Sequence, residues 1–486
     1  MYQHPARIKP FAAMLGLAVV SLPAVCFTTS AHAGGFALIE HGASGLGNAY
    51  AGASAVSSDG STVWFNPAGM TELNGRQTSF AMHALISSTD WEDRGTELGF
   101  LLGGGEVSGP DTASPGTTSA LPNFYYVAPI DTKWSYGVSV GVPFGSSTEY
   151  DPDWKGRYTT VKSGINVIDI NPALSYKVSD KWSLGFGVSV QRLTGELGNN
   201  VDSGAVCLSL ANSTAVDTGF GAADCVNESL VPGNAETDSS VVISGDSVGV
   251  GFNLGALYLP TDGVKIGVSY RHSIDHDLEG DAEFSVNPAL REILDTNSNP
   301  ATQPITSTFL RSVPATAEVK LPPTLSLSGA WQASDKVQLL SDLTWTGWSS
   351  FQEIRFKFDT ANPLQGDGVS LQEWEDVVRF SLGLNYQHSS KLTLRAGYAF
   401  DEEAIPSPQR RTARIPGNDR TWLSFGLGYQ VNQSFSFDVG YARLFLDETP
   451  IDNANAERGE GTGTFLRGVY NSNVNILSAQ VNWAFN

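Results

Sequence analysis

Several short stretches of the sequence carry residue types and spacings that could support chemistry. Two match the G-x-S-x-G pattern of serine hydrolases, with Ser139 in GVSVG and Ser247 in GDSVG. That pattern acts as a sharp turn between a strand and a helix, whereas both serines here stand in alternating, strand-like sequence. The serines are therefore better explained as residues lining one face of a strand, and we predict that the chain is not an enzyme.

The stretch RHSIDHDLEGD offers a possible metal site. It places His272 and His276 near Asp275, Asp277 and Asp281, and imidazole and carboxylate groups can together bind a divalent ion. A solvated acidic loop explains the same composition without a ligand. We therefore predict no metal.

The Gly-rich stretch GASGLGNAYAG suggests a nucleotide-binding loop. It lacks a preceding strand, and Tyr50 stands where the third glycine of G-x-G-x-x-G is needed. No nucleotide, energy-coupling group or other cofactor is predicted.

The N-terminus has the pattern of a secretory signal peptide. Arg7 and Lys9 precede an apolar run over residues 11–27, and Ala-His-Ala at 31–33 matches a cleavage site. We predict a signal peptide at residues 1–33. A lipoprotein signal at Cys26 is disfavoured, because a small residue is expected in the preceding position.

Charge and cysteine content narrow the possible partners and compartment. The chain has 50 acidic and 29 basic residues and a net charge of −21, which argues against nucleic acid as a partner. Once the signal peptide is removed, Cys207 and Cys225 remain as a candidate disulfide in an oxidising compartment. Two unpaired thiols in a loop are the alternative.

Most of the remaining sequence alternates with a period of two residues. In ILSAQVNWAF, for example, Leu477, Val481 and Trp483 fall on one face, and Ser478 and Gln480 fall on the other. This pattern predicts fourteen strands: 77–87, 122–129, 134–143, 165–178, 182–193, 246–259, 263–275, 323–332, 337–356, 377–388, 391–400, 420–431, 434–444 and 474–485.

Short connections alternate strictly with long ones, as in bacterial outer-membrane barrels. No segment after the signal peptide is apolar over the roughly 18 residues that a spanning helix needs. We therefore predict an all-β fold, a fourteen-stranded antiparallel transmembrane β-barrel over residues 77–486 with both termini in the periplasm. A closed barrel satisfies every strand edge in hydrocarbon. A periplasmic all-β protein is the alternative.

Aromatic residues at strand ends suit the two interfaces of a membrane. They are Trp134, Trp182, Trp331, Trp422, Trp483 and Phe485.

Residues 34–76 do not alternate and are rich in Gly and Ala. A fourteen-stranded barrel would otherwise have a water-filled interior, so we predict that this segment is a hatch that plugs it. Asn66, Pro67 and Ala68 form a defined turn, because proline fixes its own φ and biases Asn66 away from helix. An ordinary turn leading into the first strand is the alternative.

Five stretches together resemble the long-chain fatty-acid outer-membrane transporter family (FadL) and its aromatic-hydrocarbon relatives. They are SGLGNAYAG, STVWFNPAGMT, PFGSSTEYDPDWKGRY, WTGWSSFQEIRF and IPGNDRTWLSFGLGY. The resemblance implies a hatch bearing the Asn-Pro-Ala turn, apolar ligand pockets, and a kink in the third strand that opens the wall sideways. The chain departs from the family in ending on Asn486 after Phe485. The sequences of its loops at 88–121 and 194–245 also differ from those of the family.

The third strand contains candidates for that opening. Pro143 removes a hydrogen-bond donor, and Gly141 and Gly145 weaken packing, so strand pairing is expected to fail there. The alternative is a proline at a strand end, where it does no harm.

For a carboxylate head group, the resemblance points to Arg355. The strand pattern adds Arg192 and Arg395 as inward-facing candidates.

The expected function is passive import of long-chain fatty acids or similar hydrophobic compounds. The expected partners are a hydrophobic small molecule and outer-membrane lipid, and the chain is expected to be a monomer. The alternatives are an aromatic-hydrocarbon or alkane importer of the same architecture, and a general porin or adhesin.

Overall fold

The structure is a computed structural model that describes residues 35–99, 104–213, 218–453 and 463–485. Its main feature is a closed antiparallel β-barrel of fourteen strands, as the alternation predicts. The first strand pairs with the last from Arg76↔Phe485 to Asp93↔Gly468, which closes the sheet. The predicted signal peptide lies outside the described residues.

We number the barrel strands β1 to β14 in chain order and count a strand with an interruption once. The uninterrupted strands are β1 Arg76–Asp93, β2 Thr118–Pro129, β3 Trp134–Glu149, β4 Lys162–Lys177, β5 Trp182–Val201, β6 Ser239–Thr261, β11 Leu392–Asp401, β12 Arg420–Gln430 and β14 Thr464–Phe485. The interrupted strands are β7 Val264–Arg271 with Ile274–Ser285, β8 Val313–Leu321 with Thr324–Ser334, β9 Val337–Thr346 with Glu353–Phe358, β10 Gly368–Leu371 with Val377–Gln387, and β13 Phe435–Leu446 with Thr449–Asn453.

Short helices occur in the residues before β1 and in the loops between strands. The α-helices are α1 Ala43–Leu46, α2 Thr62–Phe65, α3 Ser203–Ala211, α4 Ala222–Asn227, α5 Pro288–Asp295 and α6 Gln303–Thr306, and 3-10 turns cover Pro67–Glu72, Ala235–Thr237 and Trp348–Ser350. Two short extended pieces, Glu97–Leu98 and Thr112–Ala113, add to the sheet. None of the helices among the described residues has the length and apolar character required to cross a bilayer.

The two faces of the barrel wall have opposite polarity. On β14, Leu477 and Trp483 are 49% and 60% exposed, while Ser478 and Gln480 face inward and are 4% and 1% exposed. Large apolar side chains thus lie outside and polar ones inside, the reverse of a water-soluble barrel. Such a surface is stable in a hydrocarbon environment.

Most of the predicted interfacial aromatics are exposed on the outer face. They include Trp134, Trp182, Trp331 and Trp483. The prediction is wrong for Trp422, which faces inward and is fully buried. The guanidinium carbon of Arg379 lies 5.1 Å from its ring centroid, so this tryptophan packs against a cation inside the barrel.

The connections alternate between tight turns at one end of the barrel and long loops at the other, as predicted. In the turn between β2 and β3, Asp131 accepts hydrogen bonds from the backbone N–H groups of Lys133 and Trp134, which stabilises a short reversal. We call the two ends the short-turn end and the long-loop end. β1 begins and β14 ends at the short-turn end.

Residues 35–75, which we call the N-terminal segment, pack against the inner face of the wall. Glycines in the strands allow this close approach. A Cβ atom at Gly267 would lie 1.9 Å from the carbonyl oxygen of Ser54, and one at Gly255 would lie 2.0 Å from Oδ1 of Asn66. The segment therefore depends on the wall for its position.

Two of the predicted strands are interrupted. The predicted strand 337–356 is broken at residues 347–352, where a 3-10 turn replaces the ladder. The stretch RHSIDHDLEGD, expected as an acidic loop, instead forms the second part of β7 from Ile274. Its acids occupy alternate positions, which is the period of a strand.

Candidate functional site

Asn66 fixes the turn that the sequence analysis places in a hatch. Its side chain accepts a hydrogen bond from the N–H of Ala68 at 3.1 Å, as the N-cap of the 3-10 turn that begins at Pro67. Its Nδ2 donates to the carbonyl oxygens of Ser54 at 2.6 Å and of Ala256 at 3.0 Å. Because Ala256 belongs to β6, the turn is tied to the barrel wall as well as to its own segment.

The start of the N-terminal segment pairs with the third strand. The N–H of Leu38 donates to the carbonyl oxygen of Pro143 at 2.8 Å, and the N–H of Gly145 donates to the carbonyl oxygen of Phe36 at 2.9 Å. Ala37 and Phe144 form an antiparallel bridge. The segment thus occupies an edge of β3 that a neighbouring strand would otherwise cover.

That edge is free because β2 and β3 separate beyond Val140. Their ladder ends at Phe124↔Val140, and the register of β3 against β4 shifts between Gly141 and Phe144. Residues 141–146 are all buried, which shows that the strand turns inward instead of alternating. We call this separation the first wall break, and it contains Gly141, Pro143 and Gly145.

An apolar pocket lies on the inner side of strands β4 to β9, next to Phe36 of the N-terminal segment. It contains about 810 Å³ of space free of atoms, part of which is open to solvent. Its lining includes Phe36, Ile165, Leu193, Leu278, Val319 and Phe356. A hydrocarbon chain is the kind of group that such a surface binds.

Phe36 joins the pocket to the first wall break through aromatic contacts. Its ring centroid lies 5.9 Å from that of Phe144, 4.8 Å from Trp348 and 5.6 Å from Phe351. Edge-to-face contacts of this kind stabilise one arrangement of the rings. A movement of Phe36 would change the pocket and the inner side of the break together.

Neither Arg355 nor Arg192 faces the pocket. Arg355 lies on the outer face of β9, where it pairs with Glu353 at 2.9 Å. Arg192 lies on the outer face of β5, is more than half exposed and pairs with Asp246. The prediction of an inward side chain is wrong for both, because the parity of each strand directs these positions outward.

Arg395 does face inward, but it lies away from the apolar pocket. It pairs with Asp438 at 2.8 Å, and a Cβ atom at Gly47 would touch its side chain. It lines a polar cavity at the short-turn end, together with Lys265. There it lies beside Gly47 of the N-terminal segment.

Arg414 is the charged residue that the sequence analysis missed. Among the described residues lining the apolar pocket it is the one with a charged side chain. Its Nη2 donates to the carbonyl oxygen of Thr159, and Thr148 donates to the carbonyl oxygen of Arg414 at 2.7 Å. Arg414 belongs to the loop between β11 and β12, whose inward fold leaves no periodic signal in the sequence.

The two candidate serines, the cysteine pair and the histidine-containing stretch lie in three different parts of the structure. Ser139 and Ser247 lie inside β3 and β6, without the strand-to-helix turn that a nucleophile requires. A disulfide joins Cys207 to Cys225 in the loop between β5 and β6. In β7, His276 is buried and faces inward while Asp275 is exposed on the outer face, so the histidine and the acids do not converge on one ion.

Ion pairs centred on buried basic residues hold the long loops together at the long-loop end. Lys155 donates hydrogen bonds to Asp93, Glu106 and Asp111, so its ammonium group occupies the space between these carboxylates. Burial disfavours the charge of Lys155, but the three hydrogen bonds outweigh burial and raise its pKa above the usual range.

A second buried pair lies in the loop between β11 and β12. Glu403 accepts a hydrogen bond from Arg411 at 2.5 Å. Burial nevertheless raises the pKa of Glu403 to about 7, because loss of solvent outweighs the attraction of Arg411. This loop also carries Arg414, so its electrostatics bear on the apolar pocket.

A closed barrel with an apolar outer face, an occupied interior and an apolar pocket defines a transport protein of the bacterial outer membrane. A model of the family described as "Outer membrane protein transport protein (OMPP1/FadL/TodX)" matches residues 24–485. The chain belongs to this family, whose members are transport channels and not enzymes.

Curated relatives match over most of their length. The long-chain fatty acid transport protein of Escherichia coli O6:H1 is 28% identical over 425 residues, covering 85% of this chain and 87% of that protein. Outer membrane protein P1 of Haemophilus influenzae is 27% identical over 475 residues, covering 94% and 96%.

Solved structures share the architecture. A FadL homologue of Pseudomonas aeruginosa superposes with a TM-score of 0.79 at 26% identity, covering 93% of this chain and all of that one. The toluene transporter TodX of Pseudomonas putida superposes with a TM-score of 0.61 at 19% identity, covering 90% and 98%, which supports the fold alone.

Proposed function

We propose that this protein imports long-chain fatty acids passively across the outer membrane. The observation that carries the proposal is that Phe36 links the first wall break to an apolar pocket in which Arg414 is the one charged residue among the described lining residues. The pocket accommodates the hydrocarbon chain, and Arg414 pairs with the carboxylate. The names of the relatives, among them long-chain fatty acid transport proteins, support this choice of ligand.

The transport route follows from the contacts of the N-terminal segment. Residues 34–76 act as the hatch, with Asn66, Pro67 and Ala68 as its anchored turn. Displacement of Phe36 from its aromatic neighbours frees the ligand, which leaves through the break at Gly141, Pro143 and Gly145 into outer-membrane lipid. Apolar outer-face residues beside the break, Phe124 and Ile170, suit release into hydrocarbon.

We also propose how the protein matures and how it is oriented in the membrane. Residues 1–33 are removed as a signal peptide, and residues 77–486 form the barrel. The short-turn end and both termini face the periplasm, and the protein works as a monomer. Cys207 and Cys225, exported to an oxidising compartment, brace the loop between β5 and β6.

Uptake of labelled oleate and labelled toluene by cells that lack their own transporter tests the function. Import of oleate above the level of empty cells is expected. Arg414→Leu should weaken oleate binding by about tenfold, because a charge-assisted hydrogen bond is lost, whereas toluene binding should not change. Arg414→Lys retains the charge and should retain most of the affinity. Arg94→Leu, which removes an exposed cation, is the control.

Each outcome decides between functions. Import of toluene without oleate would identify an aromatic-hydrocarbon importer. Sugar or ion permeation without uptake of either compound would identify a general porin. If the oleate affinity of Arg414→Leu equalled that of the unmodified protein, Arg414 would not be the head-group residue.

A further inference from the structure

A second interruption of the barrel wall, which we call the second wall break, lies between β8 and β9. The two strands pair from Thr324 and Thr346 toward the short-turn end. They pair again only from Ala317↔Phe356 toward the long loops. Residues 322–323, both proline, lie between these ladders and have no N–H to donate, so the ladder cannot continue through them.

The backbone of β9 leaves the wall at this place. Residues 347–352 turn inward, and Trp348 and Phe351 are buried inside the barrel. The gap they leave forms a cleft with about 1,490 Å³ of space free of atoms, part of which is open to solvent. Leu278 and Val319 line both this cleft and the apolar pocket. These shared residues place the second wall break directly beside the pocket.

The rim of this break is charged, whereas the wall below it is apolar. Leu325 and Leu343 are exposed on the outer face just toward the short-turn end. The rim carries five acids and three bases: Asp275, Asp277, Glu279, Glu318 and Glu353, and Lys320, Arg355 and Lys357. The bases pair with acids at Lys320–Asp275, Arg355–Glu353 and Lys357–Glu318. The rim thus has excess negative charge, which disfavours carboxylates.

A chain of hydrogen bonds fixes the state of His276, which lines the cleft. Nε2 of Gln191 donates to Asp169 at 2.9 Å, so Oε1 of Gln191 points the other way, 3.5 Å from Nε2 of His276. Nε2 of His276 then carries the proton, and Nδ1 is an acceptor. Among the described residues, this buried Nδ1 has no hydrogen-bond partner. Because the atom is enclosed, a ligand that donates a hydrogen bond reaches it when neighbouring side chains move aside.

We propose that the second wall break is a port for amphiphiles whose uncharged head donates a hydrogen bond, such as long-chain alcohols. The hydroxyl group donates to Nδ1 of His276, and the alkyl chain extends past Leu278 and Val319 into the apolar pocket. The proposal rests on the proposed import function, because it uses the same pocket. It adds an entrance at the polar boundary of the membrane and a second ligand class.

Uptake of labelled dodecanol and labelled dodecanoate by the full-length protein in transporter-deficient cells tests the port. Glu353→Cys at the rim is modified with a bulky maleimide, and Glu196→Cys, on the outer face of β5, is the matched control. Modification at position 353 should reduce dodecanol uptake severalfold and leave dodecanoate uptake unchanged. The unmodified Glu353→Cys protein provides the baseline and shows that the barrel assembles.

The acceptor is tested by His276→Phe, which keeps a ring but removes Nδ1. Binding of dodecanol to the purified protein should weaken about fivefold through the loss of one hydrogen bond, and dodecanoate binding should stay the same. Unchanged dodecanol uptake after modification at 353, with dodecanoate still imported, overturns the port and leaves the import function intact. Failure of both compounds to enter through the unmodified protein overturns the import function, and the port with it.

Discussion

The two breaks in the barrel wall are built alike but open onto different surroundings. In each, a strand ladder stops near a proline and one strand turns inward toward Phe36. Apolar side chains such as Ile170 surround the first break, and charged side chains such as Glu353 surround the second. Backbone geometry thus determines that the wall opens, and the outward-facing side chains determine which layer the opening meets.

The largest expected effect comes from sealing the first break. A Cβ atom at Gly141 would lie 2.3 Å from Oδ1 of Asn123, so cysteines at these two positions can bond across the gap. In the oxidised Asn123→Cys, Gly141→Cys protein, uptake of labelled oleate should fall to the level of cells without the protein. Reduction should restore it.

The unmodified protein under the same reductant controls for loss of the Cys207–Cys225 disulfide. Full oleate uptake through the sealed protein would show that fatty acids leave by another route, with the second break as the first alternative to test.

An intermediate effect is expected from Asn66→Ala, which loosens the segment behind both breaks. The change removes the N-cap bond to Ala68 and leaves the buried carbonyl oxygens of Ser54 and Ala256 without this donor. The local free energy of opening of residues 35–75 should fall by about 3 kcal/mol. Hydrogen exchange of the amides in this segment measures it.

Asn74→Ala is the control, because Asn74 lies at the exposed end of the same segment. Equal exchange rates in both variants would mean that the turn is not an anchor. If Asn66→Ala exchanged faster but imported oleate at the normal rate, anchoring of the segment would not be required for transport.

The smallest effect concerns pH and the loop that carries Arg414. The pKa of Glu403 is about 7 in the folded loop, above its value of 4.5 in an unfolded chain. The folded loop therefore binds a proton more tightly than the unfolded one, and its stability should fall as pH rises from about 4.5 through 7. Hydrogen exchange of residues 402–419, corrected for intrinsic rates, should show less protection at pH 8 than at pH 5.

Glu403→Gln should remove most of this pH dependence. Dodecanol lacks the carboxylate that is proposed to pair with Arg414 of this loop, so dodecanol uptake should depend on pH less than oleate uptake does. If the uptake of dodecanol and the uptake of oleate changed equally with pH, the loop that carries Glu403 would act on both routes.

Much of the architecture could be predicted because it leaves a local pattern. Alternation with a period of two identifies the strands, and turns such as Asp131–Trp134 mark the hairpins through hydrogen bonds within a few residues. Pro143 marks the first break because proline lacks a donor wherever it occurs. The second break was missed. Trp345, Trp348 and Phe351 are aromatic residues of the kind that favours strands, so this stretch is predicted to continue β9.

The candidate site was harder to predict, because it depends on which residues meet across the barrel. Arg355 and Arg192 are basic residues in strands, and only the strand register reveals that both face outward. Arg414 lies in a loop that folds back over the pocket, and its neighbours Thr148 and Thr159 are distant in sequence.

The sequence by itself determined the period, the tight turns, the acidic charge and the compact Gly-rich start, because each is a property of neighbouring residues. The tertiary structure decided which face of each strand meets lipid, where the wall opens and which arginine reaches the pocket. These depend on contacts such as Ala37 with Phe144 and Asn66 with Ala256, and closing the barrel is what brings such distant residues together.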